Sequence, residues 1–361
     1  MKKHLLILFL FAGIANLQSS DYLWMNEPLI EDRICKMEME IDHRVDSRVM
    51  ARIRRYVTYG KRDSETLLAK ATYFFPIFEH YLRIYNLPEE LKYLPMIESG
   101  LQPTIKSVVG ATGLWQIMDQ TALQYGLIID GNLDERQDVY KSTEAAAKIL
   151  RDLYSTFGDW TLVLAAYNAG PARVQKALRE SGGINFWDIE AFLPKETQMY
   201  VPSFIAASYV ANYYPVHNLT PRTVSLMKET SRTLYFKKRL TFREIALISK
   251  VPESTLTRLN PGVLKGIFPG NTSHVLVIPA SGYKSMKEFL HGGKGLSYQI
   301  PENTLETEYV VLPGDTPESL AQRYDGDPQL IRQRNGLGQR NLVVNEQIVL
   351  YLSKRIAFNR A

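Results

Sequence analysis

"LPMIESGLQPTIKSVVGATGLWQIM", residues 94–118, begins as one kind of structure and ends as another. Leu94, Met96 and Ile97 are apolar and helical in character, and the run ends on a carboxylate, Glu98. Ser99-Gly100 breaks the helix. A glycine-punctuated segment follows, in which Gly110 and Gly113 let the backbone turn tightly before Trp115 and Gln116. Burial and the negative end of a helix dipole both raise a carboxyl pKa. A carboxyl kept protonated near neutrality is what a general acid needs. The stretch holds no His, no Cys and no second acid. From position alone, a plain surface Glu at a helix end reads the same way.

The flanks are helical too. Leu67–Tyr85 form an amphipathic run, expected to kink at Pro76. Pro88 suits the first turn of a helix that reaches Glu98. Ser142 or Thr143 is expected to cap Glu144–Phe157, and Gly158 to stop it. Further helices are expected over Trp160–Tyr167, Pro171–Glu180 and Glu196–Tyr213. In residues 21–63, Val45, Val49, Ile53 and Tyr56 recur at helical spacing.

After Pro215 the pattern changes to short strands and turns. Thr241, Ala246, Leu256 and Asn260 match Thr316, Ala321, Ile331 and Asn335, each 75 residues on. Each block ends in an apolar strand, "HVLVIP" at 274–279 and "QIVLYL" at 347–352. Two copies of a strand-helix-helix-strand unit fit, at 234–280 and 308–353. The Gly- and Lys-rich stretch 281–307 reads as a linker.

The whole chain has 361 residues, 45% hydrophobic and 22% charged, ordinary values for two or three globular domains. Lys2-Lys3 followed by the apolar run Leu5–Ala12 reads as a signal peptide over 1–20, too short to span a membrane. The lone Cys35 lies too far downstream for a lipid anchor and leaves no internal disulfide. The chain is therefore expected in the periplasm or cell envelope, without a transmembrane segment once processed. The six His show no metal-ligand spacing, so neither a metal nor a cofactor is expected. Net charge is +5, with 12 Lys/Arg against 17 Asp/Glu in 64–214 and 20 against 12 in 215–361. That asymmetry points the C-terminal half at an anionic surface, or simply reflects solvated basic faces. Nucleic acid is not expected as the partner of an exported chain.

Four separated motifs carry a resemblance. "IES" at 97–99, "GATGLWQIM" at 110–118, "LAAYNAG" at 164–170 and "ETQMYVP" at 196–202 look like the signatures of the lytic murein transglycosylase family. The similarity spans about residues 60–215. "YVVLPGDTPESLAQRY" at 309–324 resembles a LysM module, and 234–280 a degenerate copy. Pro317 stands where an apolar residue is usual, and Asn345-Glu346 where a glycine is usual.

The resemblance implies a mainly α fold: a lysozyme-like catalytic domain over 64–215, then small βααβ LysM-type modules that bind N-acetylglucosamine-containing glycans. It implies cleavage of peptidoglycan glycan strands between N-acetylmuramic acid and N-acetylglucosamine. It names no protein partner. Most glycosidases use two carboxylates. Here the substrate's C6 hydroxyl is implied as nucleophile, so Glu98 alone serves as acid and then base, leaving 1,6-anhydro ends. Ser99, Ser107, Gln116, Met118, Tyr167, Asn168, Glu196 and Tyr200 fall where the family binds substrate or supports the site. Trp115, Tyr167 and Tyr200 read equally as core aromatics. The alternatives are a water-using muramidase, with Asp119, Asp130 or Asp134 as base, and a wall-binding scaffold without activity.

Overall fold

The computed structural model describes residues 26–222, 230–270, 272–290, 304–312, 314–324, 326–335, 337, 340–343 and 346–353. The expected signal peptide lies outside them. The chain divides into two compact units, residues 1–292 and 293–361.

The first unit opens with α1 (Glu27–Cys35) and α2 (Ser47–Val57). Asp46 caps α2 by accepting from the backbone N–H of Arg48 and Val49. Val49, Met50, Ile53 and Val57 form its buried stripe. These helices pack into the same core as the helices that follow them as far as Leu219, so residues 26–63 are no separate layer. The long helix α3 (Lys61–Ile84) runs unbroken through Pro76 and buries Leu68, Ala71, Phe74, Phe78 and Leu82. A 3₁₀ turn, Glu89–Tyr93, leads into α4 (Leu94–Glu98).

Then come α5 (Asp119–Gln124) and α6 (Val139–Phe157). Helix α6 starts earlier than expected. Asp138 is its cap, accepting from Tyr140 and Lys141, while the hydroxyls of Ser142 and Thr143 turn back onto Asp138 O and Val139 O. Gly158 ends it at φ 64°, as the sequence predicts. The buried α7 (Trp160–Ala169) and the surface helix α8 (Pro171–Ser181) meet at Gly170, φ 87°. Short α9 (Phe186–Ile189) and α10 (Lys195–Gln198) precede α11 (Tyr200–Tyr213), which packs on α2. The expected helix 196–213 is thus two pieces.

The first repeat follows in the same unit. Strand β1 (Ser231–Phe236) pairs antiparallel with β4 (His274–Pro279), Leu234 opposite Leu276. Between them lie β2 (Leu240–Thr241), α12 (Phe242–Ser249), α13 (Glu253–Leu259) and β3 (Ile267–Phe268). Residues 280–290 are not linker: they form α14 (Ala280–Leu290), packed on β1, β4 and α12. Its Gly282 permits close contact, since a Cβ there would stand 2.5 Å from Val251 Cγ2.

The second unit is a repeat with its own core of Tyr309, Val311, Leu320, Ala321, Ile331, Ile348 and Leu350. Strand β5 (Thr304–Val310) pairs with β6 (Gln347–Ser353) around α15 (Pro317–Arg323) and α16 (Pro328–Arg334). Residues 304–307 of the expected linker thus belong to β5, and residues 291–303 lie outside the described ones. Pro317 sits at the first turn of α15, where a missing N–H costs nothing. Glu346 stands next to β6, its carboxylate held by Arg340 and by Val343 N.

The 75-residue repeat has a physical basis. Thr241 and Thr316 each close a capping box. Asn260 donates to Leu256 O and Val277 O and accepts from Val277 N. Asn335 does the same with Ile331 O, Val349 O and Val349 N. Each Asn thus staples the second helix to the last strand.

The boundary at 215 is not a boundary in packing. Leu133, from the α5–α6 connection, is buried in the core of the first repeat with Val263, Ile245 and Phe268. Asp134 N donates to Gly262 O at 2.9 Å, and Leu264 N to Asn132 O at 2.8 Å. Lys141 Nζ donates to Ser273 O at 3.2 Å. A chain ended at Val216 exposes Leu133 and loses these bonds. It is expected to melt at least about 5 °C lower than one ended at Leu290, since a buried Leu is worth ~2 kcal/mol. Calorimetry on the two truncations checks this, and equal melting temperatures would contradict it.

Candidate active site

Glu98 ends α4 at the floor of a cleft of about 1020 Å³. The backbone turns away at once through Gly100 and Leu101, at φ 57° and 55°. Ser99 does not meet the cleft as expected. It is buried, donating to Leu114 O at 2.8 Å and Pro95 O at 3.1 Å, and so pins α4 to the following loop. Lys70 Nζ holds Gly100 O from α3 at 3.0 Å.

The loop 105–118 curls on itself through backbone pairing of Thr112 with Lys106 and Ile117. Gly113, at φ 86°, lies against the Arg136 carbonyl. Gln116 adopts a left-handed φ of 49°, and its side-chain amide donates to Gly113 O at 2.9 Å. Ser107 Oγ accepts from Ala111 N at 3.0 Å. Sequence reasoning missed Arg136. This fully buried guanidinium donates to Gly110 O and Ile117 O and pairs with Asp134 and Asp119. A lone Arg amid four acids between 130 and 138 looks like surface in sequence.

Helix α7 brings Tyr167 and Asn168. Tyr167 Oη donates to Trp115 O at 2.7 Å, and Asn168 Oδ1 accepts from Thr197 Oγ1 at 2.8 Å. Trp115 itself is core: fully buried, edge-on to Phe78, its indole N–H on Thr143. Tyr200, at the start of α11, donates its hydroxyl to Glu98 Oε1. Among the described residues, Oε2 has no hydrogen-bond partner. Ser107, Gln116, Met118, Tyr167, Asn168, Glu196 and Tyr200 all line the cleft with Glu98; Ser99 does not.

Burial, aided by the Glu196 charge and opposed by the Tyr200 hydrogen bond, raises the Glu98 pKa to about 7. Burial and the Glu98 charge hold Tyr200 well above its ordinary range, so it remains a donor. Asp119, Asp130 and Asp134 do not line the cleft. Asp119 and Asp134 pair with Arg136, and Asp130 accepts from Asn132 N and Leu133 N. The other described carboxylates in the cleft are Asp63 and Glu196. The N-terminal helices add what the sequence did not announce: Arg52, Arg55 and Tyr56 of α2 line the same cleft.

The arrangement can hold one neutral carboxyl against an extended ligand. Comparison with known proteins agrees with the motifs. The family model "Transglycosylase SLT domain" matches residues 75–189. "Lytic transglycosylase MltD, LysM-like domain" matches 231–292, and "LysM domain" matches 309–350. Membrane-bound lytic murein transglycosylase D of Escherichia coli K12 is 31% identical over 262 residues, 70% of this chain and 57% of that protein. The chain thus spans little more than half that relative's length. Soluble lytic murein transglycosylase of Escherichia coli K12 is 31% identical over 148 residues, 38% of this chain and 23% of that one. The solved 70 kDa soluble lytic transglycosylase of Escherichia coli aligns with 23% identity and a TM-score of 0.37, over 60% of this chain and 46% of that one. No helix among the described residues is long and apolar enough to cross a membrane. Residues 75–189, which carry Glu98, therefore match a transglycosylase SLT domain, in one chain with two matches to LysM-type domains.

Proposed function

We propose that the chain is a peptidoglycan lytic transglycosylase of the cell envelope. It would cleave the β-1,4 bond between N-acetylmuramic acid and N-acetylglucosamine, held on the wall by the second repeat. The observation that carries this reading is a single half-buried carboxyl, Glu98, with a pKa of about 7 and one oxygen fixed by Tyr200. Oε2 gives its proton to the glycosidic oxygen as the C1–O bond breaks. The muramoyl C6 hydroxyl then attacks C1 and returns its proton to Glu98. No water is consumed, and the new end is a 1,6-anhydro ring. An internal hydroxyl beside the anomeric carbon has a large effective-concentration advantage over bulk water.

A second reading is hydrolysis, since Asp63 and Glu196 also line the cleft and either could serve a water. Chain ends separate the two. Digestion of sacculi in ¹⁸O water is expected to give mostly unlabelled ends that take up no hydride from borohydride. Mostly labelled, reducible ends would establish the hydrolase. An inert scaffold is disfavoured by the retained Glu98 with its raised pKa.

A further inference from the structure

The cleft has a wall that the catalytic reading leaves unused. Arg52, Arg55 and Tyr56 lie on α2, outside the stretch matched by the transglycosylase model. Their spacing is helical: Arg52 with Tyr56 and Arg52 with Arg55 share one face. The opposite stripe, Val49, Ile53 and Val57, is buried against α11, the helix that carries Tyr200. The arginine face is therefore held at a fixed place relative to Glu98. All three line the cleft, and burial raises the Tyr56 hydroxyl pKa against the opposing charges of Arg52 and Arg55. Among the described residues, neither Arg52 nor Arg55 forms an ion pair with a carboxylate, whereas Arg48 and Arg54 of the same helix do. Asp63 lines the same end, and Lys70 adds a further positive charge. The wall is thus net cationic inside a domain whose residues 64–214 carry 17 acids against 12 bases.

Resting on the glycan reading above, we propose that Arg52 and Arg55 form a carboxylate-binding subsite that recognises the acidic substituent of a muramoyl residue while the glycan lies over Glu98. A planar, always charged guanidinium suits a carboxylate better than an ammonium does. Peptidoglycan offers two sources of that group: the carboxylates of the peptide stem, and the lactyl carboxylate left when the stem is removed.

The test reads binding, so it does not depend on which bond the enzyme cuts. The full chain carrying Glu98→Gln is titrated calorimetrically with three tetrasaccharides: peptide-bearing, stripped with a free lactyl carboxylate, and stripped with that carboxylate capped as its methylamide. The titrations are repeated with Arg52→Gln/Arg55→Gln added. The second repeat is present in both chains, so the difference reports the cleft. The preference for an anionic strand over the capped one is expected to fall roughly 10-fold, and less at high salt. Loss on the peptide-bearing strand alone assigns the stem carboxylates; loss on the stripped, uncapped strand alone assigns the lactyl group; loss on both shows that the pair takes either carboxylate. An unchanged preference, or equal weakening on all three strands, would overturn the subsite. Failure of the transglycosylase reading would show separately, as labelled reducing ends from the unsubstituted chain.

Discussion

Glu98→Gln is expected to lower the cleavage rate at least about 100-fold, with an unchanged circular dichroism spectrum. Gln has the size of Glu and keeps an oxygen for the Tyr200 hydroxyl, so the loop and helices around it have no reason to move. What it loses is an acidic proton at the position of Oε2. The unsubstituted enzyme should follow the protonation of one group: its rate should decline as pH rises through about 7, the Glu98 pKa. Stability carries the same signature with a definite sign. The folded pKa is raised above the ordinary glutamate value of 4.5, so the stabilising contribution of the neutral acid is full below 4.5 and is lost as pH rises through about 7. The Gln variant has no such loss, and its melting temperature should gain on the parent between pH 5 and pH 8. Sacculus-clearing assays and melts at the two pH values check both points. Near-normal activity would remove Glu98 from the chemistry.

Gly113→Ala is expected to be the most damaging single methyl in the catalytic domain. Its Cβ would stand 1.9 Å from Arg136 O and 2.8 Å from Arg136 C, at φ 86°. Both neighbours are backbone, and Arg136 is clamped by Asp134 and two carbonyls, so nothing nearby can yield. Gly110 is the control. It has φ 96° but nothing within 4 Å of a Cβ, so Ala there costs only the left-handed conformation, about 1 kcal/mol. Ala at 113 should cost at least about 3 kcal/mol more, lowering the melting temperature by about 6–12 °C relative to Gly110→Ala. Equal melting of the two variants would show that the loop shifts more easily than its packing implies.

The contrast between these glycines shows what a sequence can and cannot carry. Glycine at both positions predicts a tight turn, and both turns exist. Only the second lies under a buried carbonyl, which depends on residues some twenty positions away. The same limit governs the other differences. Helix order and the stop at Gly158 were legible because they rest on local conformation. The first turn of α6 was not, because Asp138, Ser142 and Thr143 all compete to cap and only packing decides. Ser99 beside an acid looked like a ligand contact, whereas its hydroxyl serves the loop. The stretch 281–290 read as linker from its glycine and lysines, although Tyr283, Met286 and Leu290 recur at helical spacing; Gly282 is there for closeness, not freedom. Most of the cleft was legible through its motifs. The arginine wall was not, since α2 carries no motif and reaches the cleft only through the fold.

The two repeats share a pattern and the same Asn staple, yet Leu133 makes one of them part of the catalytic domain's cooperative unit while the other keeps its own core. Likeness in sequence therefore should not mean likeness in melting. A calorimetric scan of the chain should show the first repeat unfolding together with the helical domain in one large transition. The second repeat, small and self-contained, should unfold in a separate one. On that outcome, duplication of a module would have yielded two thermodynamic fates: one copy giving up independent stability to brace the helical domain, and the other keeping it.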